Sequence, residues 1–255
     1  MAIKFSIGCD PEFFLTQNGS YKAAVGLIGG DKWHPKPIDK DGHAILEDNV
    51  AVEFNIQPAT SYEAFRSSIH KVLEHLRGIL PGYAFSHSSA VSFPEEELNT
   101  PQAQEFGCEP DFDAWLKKVN SKPDAEDKNL RSCGGHIHVG SDIAKENPIE
   151  VIRAMDVFLG VTSVPLDTEG QLRRSLYGNP GCFRTKPYGV EYRTLSNFWI
   201  WDDSLIKWAF EGTQKALEFV GSGNKVSEDH KEMIQNCIRF SDMEAYHKLQ
   251  GIYQL

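Results

Sequence analysis

Gly8-Cys9-Asp10-Pro11-Glu12-Phe13-Phe14 is the stretch on which the fold turns. At the two-residue period of an extended strand, Phe5, Ile7, Cys9, Phe13 and Leu15 point one way, while Ser6, Gly8, Asp10 and Glu12 point the other. Two carboxylates side by side on one strand face repel each other, and the cost grows as the site dries. An edge strand showing its acids to water tolerates such a pair. So does a strand whose acids share a cation, most often a divalent metal. What decides between them is whether other segments repeat the pattern.

Three do. From Ile45 to Gln57, Val50, Val52, Phe54 and Ile56 form one face and Ala51, Glu53, Asn55 and Gln57 the other, with Pro58 ending the segment. In Ser132 to Gly140, His136 and His138 share a face with Gly134 and Gly140, while Ile137 and Val139 face the opposite way. Glycines beside two histidines leave room for a ligand near the backbone, so this His-x-His suits a metal or a phosphate. In Gly189 to Leu195, Glu191 and Arg193 share a face. Four strands with one apolar and one polar face imply an α+β fold, an antiparallel or mixed sheet covered by helices on one side. Asp10, Glu12, Glu53, Asn55, Gln57, His136, His138, Glu191 and Arg193 then line a polar floor. Its acids need compensation, and Mg2+ or Mn2+ suits hard carboxylate oxygens while sharing phosphate oxygens.

The remaining segments supply cover and connections. Asn18-Gly19 is a hairpin turn, and Tyr21 to Ile28 returns as a strand. Gly29 to Gly42 is a loop carrying His34 and Lys36. Thr60-Ser61-Tyr62-Glu63 has capping-box spacing and opens a helix striped by Phe65, Ile69, Val72, Leu73 and Leu76, which Pro81-Gly82 stops. Tyr83 to Phe93 reads as a strand, and 94–129 as an irregular connection or flap with a short helical piece from Asp113 to Val119. Asn147-Pro148-Ile149-Glu150 opens another helix. Gln171 to Tyr188 reads as a Gly/Pro loop holding Arg173, Arg174, Arg184 and Lys186. Four cations beside a carboxylate-rich sheet point to a phosphate partner. A long helix from Asp202 to Val220 and two short ones finish the chain.

The 255 residues are read as one domain, 1–255. Nothing approaches about 18 uninterrupted apolar residues, and Met1 to Phe5 has no signal-peptide layout, so a cytoplasmic protein without a membrane partner is expected. Cys9, Cys108, Cys133, Cys182 and Cys237 are odd in number and form no Cys-x-x-Cys pair, which fits reduced thiols. A net charge of −10 argues against nucleic acid held by bulk charge.

Gly-Cys-Asp10-Pro-Glu12-Phe-Phe-Leu resembles the Gly-Pro-Glu-Pro-Glu-Phe-Phe-Leu strand of glutamine synthetases. Gly-Gly-His136-Ile-His138 is similar to their Gly-Met-His-Cys-His strand, and Val-Glu191-Tyr-Arg193 to their Ile-Glu-Val-Arg strand, in the same order. The same three motifs occur in glutamate–cysteine ligases. The wording of residues 8 to 197 resembles most closely the phage carboxylate–amine ligases (amidoligases) of that superfamily. The resemblance implies a curved, mainly antiparallel glutamine synthetase-like sheet, with helices on the outer face and the active site on the concave face. It implies an ATP-dependent ligase forming an amide bond through an acyl phosphate. Asp10, Glu12, Glu53, His136 and Glu191 would hold Mg2+, while His138, Arg184, Lys186 and Arg193 would bind the nucleotide phosphates. His138, Arg184 and Arg193 would be the catalytic residues. If the source is a phage, the host cytoplasm is the expected location. Asp10 stands where the synthetases have Glu, and Asn55 and Gln57 stand beside Glu53 where a further acid would be expected.

Activating a carboxylate for attack by an amine asks for positioning and neutralisation of phosphate charge, which this residue set offers. No Gly-x-x-x-x-Gly-Lys-Ser/Thr and no Gly-x-Gly-x-x-Gly occurs, so the chain has neither a P-loop nor a kinase-type loop. A metal-dependent hydrolase and a non-catalytic binding protein are the competing classes. A hydrolase works without nucleotide; a binder turns nothing over.

Overall fold

The Asp10–Glu12 segment lies in a twelve-residue strand, β1 (Ser6–Gln17), in a computed structural model that describes residues 3–104, 111–121 and 126–255. Ile7, Cys9, Phe13 and Leu15 enter the main core, as strand alternation requires. Asn18 and Gly19, both at positive φ, turn the chain into β2 (Ser20–Lys22), shorter than the strand expected over Tyr21 to Ile28. β3 (Lys36–Pro37), β4 (Ala44–Asp48) and β5 (Ala51–Asn55) follow.

β4 and β5 correct the reading of Ile45 to Gln57 as one strand. They form a hairpin that turns at Asn49, whose φ is 58°. The turn moves Val50 out of the main core into a second, smaller cluster with Phe14, Phe93, Leu98 and Cys133. It also reverses the alternation before the turn, which brings Asp48 to the polar face.

α1 (Tyr62–Ile79) begins one residue later than the capping-box reading, because Ser61 Oγ accepts from the Ala64 N–H at 3.2 Å. The segment read as one strand from Tyr83 to Phe93 divides into β6 (Ala84–Ser86), paired with β1, and β7 (Ala90–Ser92). α2 (Pro101–Gln104) comes next. The helical piece expected from Asp113 to Val119 is instead a hairpin of β8 (Phe112–Asp113) and β9 (Lys118–Val119). Asp113 Oδ1 accepts from the Trp115 and Leu116 N–H groups, an Asx turn that competes with helix. β10 (Leu130–Ser132) pairs with β7 in a separate two-stranded sheet, and β11 (Gly135–Gly140) carries the two histidines.

α3 (Asp142–Glu146) and α4 (Pro148–Met155) lead into a π-helical turn over Asp156–Val161. Buried Asp156 accepts from Trp115 Nε1 at 2.6 Å and Tyr192 OH at 2.8 Å, and burial pushes its acid up to about 7. Gln171 to Tyr188, expected as a loop, contains α5 (Gln171–Leu176) and β12 (Cys182–Lys186). β13 (Gly189–Tyr192), α6 (Asp203–Gly221), α7 (Lys231–Phe240) and α8 (Met243–Tyr253) complete the order.

The main sheet runs β3-β4-β5-β1-β11-β13-β12-β8-β9, with β2 and β6 also on β1. Its pairings are antiparallel and it does not close into a barrel, so the fold is α+β. Phe65 and Ile69 of α1, Ile152 and Met155 of α4, and Ile206 and Leu217 of α6 share one core with the apolar strand faces. Each such side chain contributes about 1.5–3 kcal/mol on burial. Among the described residues, no helix is long and apolar enough to cross a membrane. Cys9, Cys133, Cys182 and Cys237 are buried free thiols, each with its acidity suppressed by burial; Cys108 lies outside the described residues, as do parts of the 94–129 region.

Candidate functional site

Register gathers the polar side chains. Asp10 on β1 is opposite His136 on β11, and His138 is opposite Glu191 on β13. Glu191 is in turn opposite Arg184 on β12, and Glu12 is opposite Glu53 on β5. The five residues expected to hold metal therefore come together, in two groups. Asp10, His136 and Glu191 present ligand atoms within 4.8 Å of one another, and Glu12 and Glu53 do so with Asp48.

The two groups differ in electrostatics. Asp10 Oδ1 lies 3.0 Å from His138 Nε2 and 3.3 Å from His136 Nδ1. Burial works against its charge, yet the two histidines hold Asp10 well below the usual carboxylate range. Glu191, 1% exposed, meets Lys186 Nζ at 2.6 Å, Arg184 Nη1 at 3.6 Å and, closest of all, Arg193 Nη1. Burial and Asp10 oppose its ionisation, but Arg193, His136 and His138 outweigh them and hold its acid at about 2. Burial and Arg193 push His136 down to about 4, which leaves a neutral imidazole, the form that binds metal. Burial opposes the charge on His138, but Asp10 prevails and raises its pKa.

In the second group the acids carry the cost themselves. Burial, then the charge of Asp48, pushes Glu12 up to about 7. Burial, then Asp10, Asp48 and Glu12, drives Glu53 well above its ordinary value, and burial raises Asp48. Gly134 N–H donates to Glu12 Oε2 at 2.7 Å. Among the described residues, no lysine or arginine lies within 4 Å of these three carboxylates. Three half-buried acids converging with no close cation are a donor set that fits a hard divalent ion.

Residues 124–216 match the family model described as Phage phiEco32-like COOH.NH2 ligase-type 2. This stretch is similar to the phage-type COOH.NH2 ligases. The match bears out the resemblance read from the motifs and supports an enzyme of ligase type. No curated protein matches the chain. The matched stretch contains His136, His138, Arg184, Lys186, Glu191 and Arg193, while Asp10, Glu12, Asp48 and Glu53 reach them from outside it through β1, β4 and β5.

Within the matched stretch the four expected cations separate. Arg184 and Lys186 reach Glu191 from β12. Arg173 and Arg174 of α5 are buried, 2% exposed each, and Arg173 still feels the charge of Glu12. Arg174 pairs with Asp167 at 2.9 Å. Arg173 donates to the Thr194 and Arg193 carbonyls at 2.8 and 3.3 Å, and so fixes the chain just past β13. Replacing Arg173 by alanine orphans both carbonyls and leaves a cavity; thermal unfolding is expected to register a loss of about 2–4 kcal/mol. An unchanged midpoint would remove Arg173 from this role.

Three residues at the site escaped the sequence reading. Asp48 was hidden by the undetected hairpin, although Asp48-Asn49 is a turn pair. Asp111 accepts from Arg193 Nε at 3.3 Å, from a region with no legible pattern. The Tyr188 hydroxyl meets His138 Nδ1 and carries no periodic signal, because it sits in the turn between β12 and β13. Of the remaining floor residues, Gln57 lies past β5, exposed beside Gly42. Lys36 of β3 donates to the Ile28 carbonyl at 2.8 Å.

Proposed function

We propose that this protein is an ATP-dependent carboxylate–amine ligase working through an acyl phosphate on a glutamine synthetase-like polar face. The observation that carries the reading is the convergence of two ligand groups, Asp10/His136/Glu191 and Glu12/Asp48/Glu53, beside Arg184, Lys186 and Arg193. The ligase-family match over the strands that hold the cations supports it.

Divalent ions held by the two groups would supply charge neutralisation for a bound polyphosphate. The chain's own residues do the rest. Lys186 and Arg184, at the accessible edge of the cluster, bind terminal phosphate oxygens. Arg193, tied to Glu191 and Asp111, holds the cluster in register. A substrate carboxylate oxygen attacks the γ-phosphorus and ADP leaves. The amine nitrogen then attacks the acyl carbon, phosphate departs, and the nitrogen releases its proton to solvent or a site base. His138, its pKa raised by Asp10 3.0 Å away, stabilises the phosphate charge as it shifts.

The test is release of ADP from MgATP in the presence of candidate acid–amine pairs. Release that requires both an acid and an amine is expected. Turnover of a substrate without nucleotide contradicts the reading and favours a hydrolase.

Proton competition gives a second prediction. Glu12, Glu53 and Asp48 have folded pKa values above their unfolded values, so each adds stability to the metal-free protein that is lost as pH rises and it ionises; for Glu12 the window runs from about 4.5 through about 7. A cation must displace those protons at low pH and meets free carboxylates at high pH. The rise in unfolding temperature caused by Mg2+ is expected to be larger at pH 8 than at pH 6, measured by thermal shift at fixed Mg2+. An equal or smaller rise at pH 8 would count against Glu12, Glu53 and Asp48 as ligands.

A further inference from the structure

The three acids of the second ligand group are not held alike. Glu12 and Glu53 stand opposite each other on directly paired strands, β1 and β5. Asp48 comes from β4, one strand further out, and is the last residue before the turn at Asn49. Once ionised, Asp48 repels Glu12 and Glu53. A hairpin turn therefore carries a carboxylate that electrostatics pushes away from its partners.

Side chains from the segment ahead of β11 hold this turn in place. Arg131 of β10, 7% exposed, donates from Nε to Asn49 Oδ1 at 3.2 Å. The same guanidinium donates from Nη2 to the Ala103 carbonyl at 2.7 Å, and from Nη1 to the Lys128 and Leu130 carbonyls at 2.9 Å each. Gln102 of α2 donates from Nε2 to the Asn49 carbonyl at 3.3 Å and to the Glu47 carbonyl at 3.5 Å. Val50 adds a third tie. Its carbonyl accepts from the Ala24 N–H at 2.9 Å, and its side chain shares the smaller core with Phe93, Leu98 and Ala103. The segment is anchored in turn by Glu97, which accepts from Lys22 Nζ at 2.5 Å and from the Ala23 N–H at 2.9 Å.

A two-residue hairpin turn is closed by its own strands and needs no guanidinium to form. Burying a charged fork is costly unless its donors are met, and here they are met by oxygens of separate segments, Asn49 on one side and Ala103 on the other. The result is a turn fixed in position as well as in shape.

We infer that Arg131, Asn49 and Gln102 are positioning residues for a cation at the second ligand group: they clamp the β4–β5 turn to α2 and β10 and so hold the Asp48 carboxylate toward Glu12 and Glu53. The inference rests on the two ligand groups of the proposed ligase and adds how one of them is assembled before an ion arrives. It also gives the connection ahead of β11 a part in the site, through contacts that touch neither ion nor substrate.

The experiment titrates the intact chain with Mn2+ alone at pH 8, with free ion read from its aqueous electron paramagnetic resonance signal. The parent should bind two ions, of which Glu12→Gln loses one. Asn49→Gly removes the Oδ1 acceptor, and glycine adopts the φ of 58° without strain. It should weaken that same ion by about tenfold, the low end of what a lost outer contact costs a metal site, and leave the other ion unchanged. Asn49→Asp keeps an oxygen for Arg131 and tolerates positive φ, and should bind at least as tightly as the parent. Gln102→Ala cuts the tie to the Asn49 carbonyl and should weaken the same ion; it carries the test if Asn49→Gly does not fold. A clamp that served the fold alone would lower the melting temperature and leave the affinity for that ion where it was. Unchanged binding of both ions, or equal weakening of both, would overturn the inference and leave the proposed ligase standing. A parent that binds no ion sensitive to Glu12→Gln would remove the second ligand group, and the inference with it.

Discussion

Glu12→Gln is expected to abolish Mg2+-dependent ligase turnover, by at least about 100-fold, while raising the unfolding temperature of the metal-free protein. The two effects have one cause. Glu12 is half-buried beside Asp48 and Glu53, its acid pushed up to about 7. A neutral amide removes the repulsion, keeps an oxygen for the Gly134 N–H and turns donors toward the neighbouring carboxylates. It also removes an anionic ligand oxygen. Steady-state turnover and a metal-free thermal melt measure the pair of outcomes. A variant that keeps full turnover, or that melts well below the parent, would show that Glu12 does something other than share a cation.

Glu191→Gln is expected to lose turnover as well, but to destabilise. Glu191 is buried against Arg193, Lys186 and Arg184, with its charge favoured by all the groups around it save Asp10. Neutralising it strands buried cations, which costs about 3–5 kcal/mol when one partner of such a pair is removed. For a chain of this size that amounts to a drop of about 6–20 °C in the metal-free melt. A melt within a degree or two of the parent would contradict the charge arrangement. The opposite signs at Glu12 and Glu191 separate a group whose acids repel one another from one already neutralised by protein cations.

Alternation made most of the floor legible in the sequence. Asp10, Glu12, His136, His138 and Glu191 stand on strands where a period of two is a local property, and register then aligned them. Asp48 was not legible, because a single residue at positive φ, Asn49, reverses the faces without interrupting the hydrophobic count. Arg173 and Arg174 looked like loop cations since Gly170, Gly178 and Pro180 flank them. The six-residue helix α5 is too short for a periodic signal and owes its burial to tertiary packing. The β8–β9 hairpin was misread as helix because Asp113, through its Asx turn, decides a conformation that the apolar spacing leaves ambiguous. What local chemistry dictates was readable; what long-range packing dictates was not.

The most direct test is a crystal of the protein grown with Mn2+ and a non-hydrolysable ATP analogue, with manganese located by anomalous scattering. Manganese within bonding distance of Asp10, His136 and Glu191 and of Glu12, Asp48 and Glu53, in contact with the analogue's phosphates, is the predicted result. An analogue bound away from both groups, or manganese at neither, would contradict it.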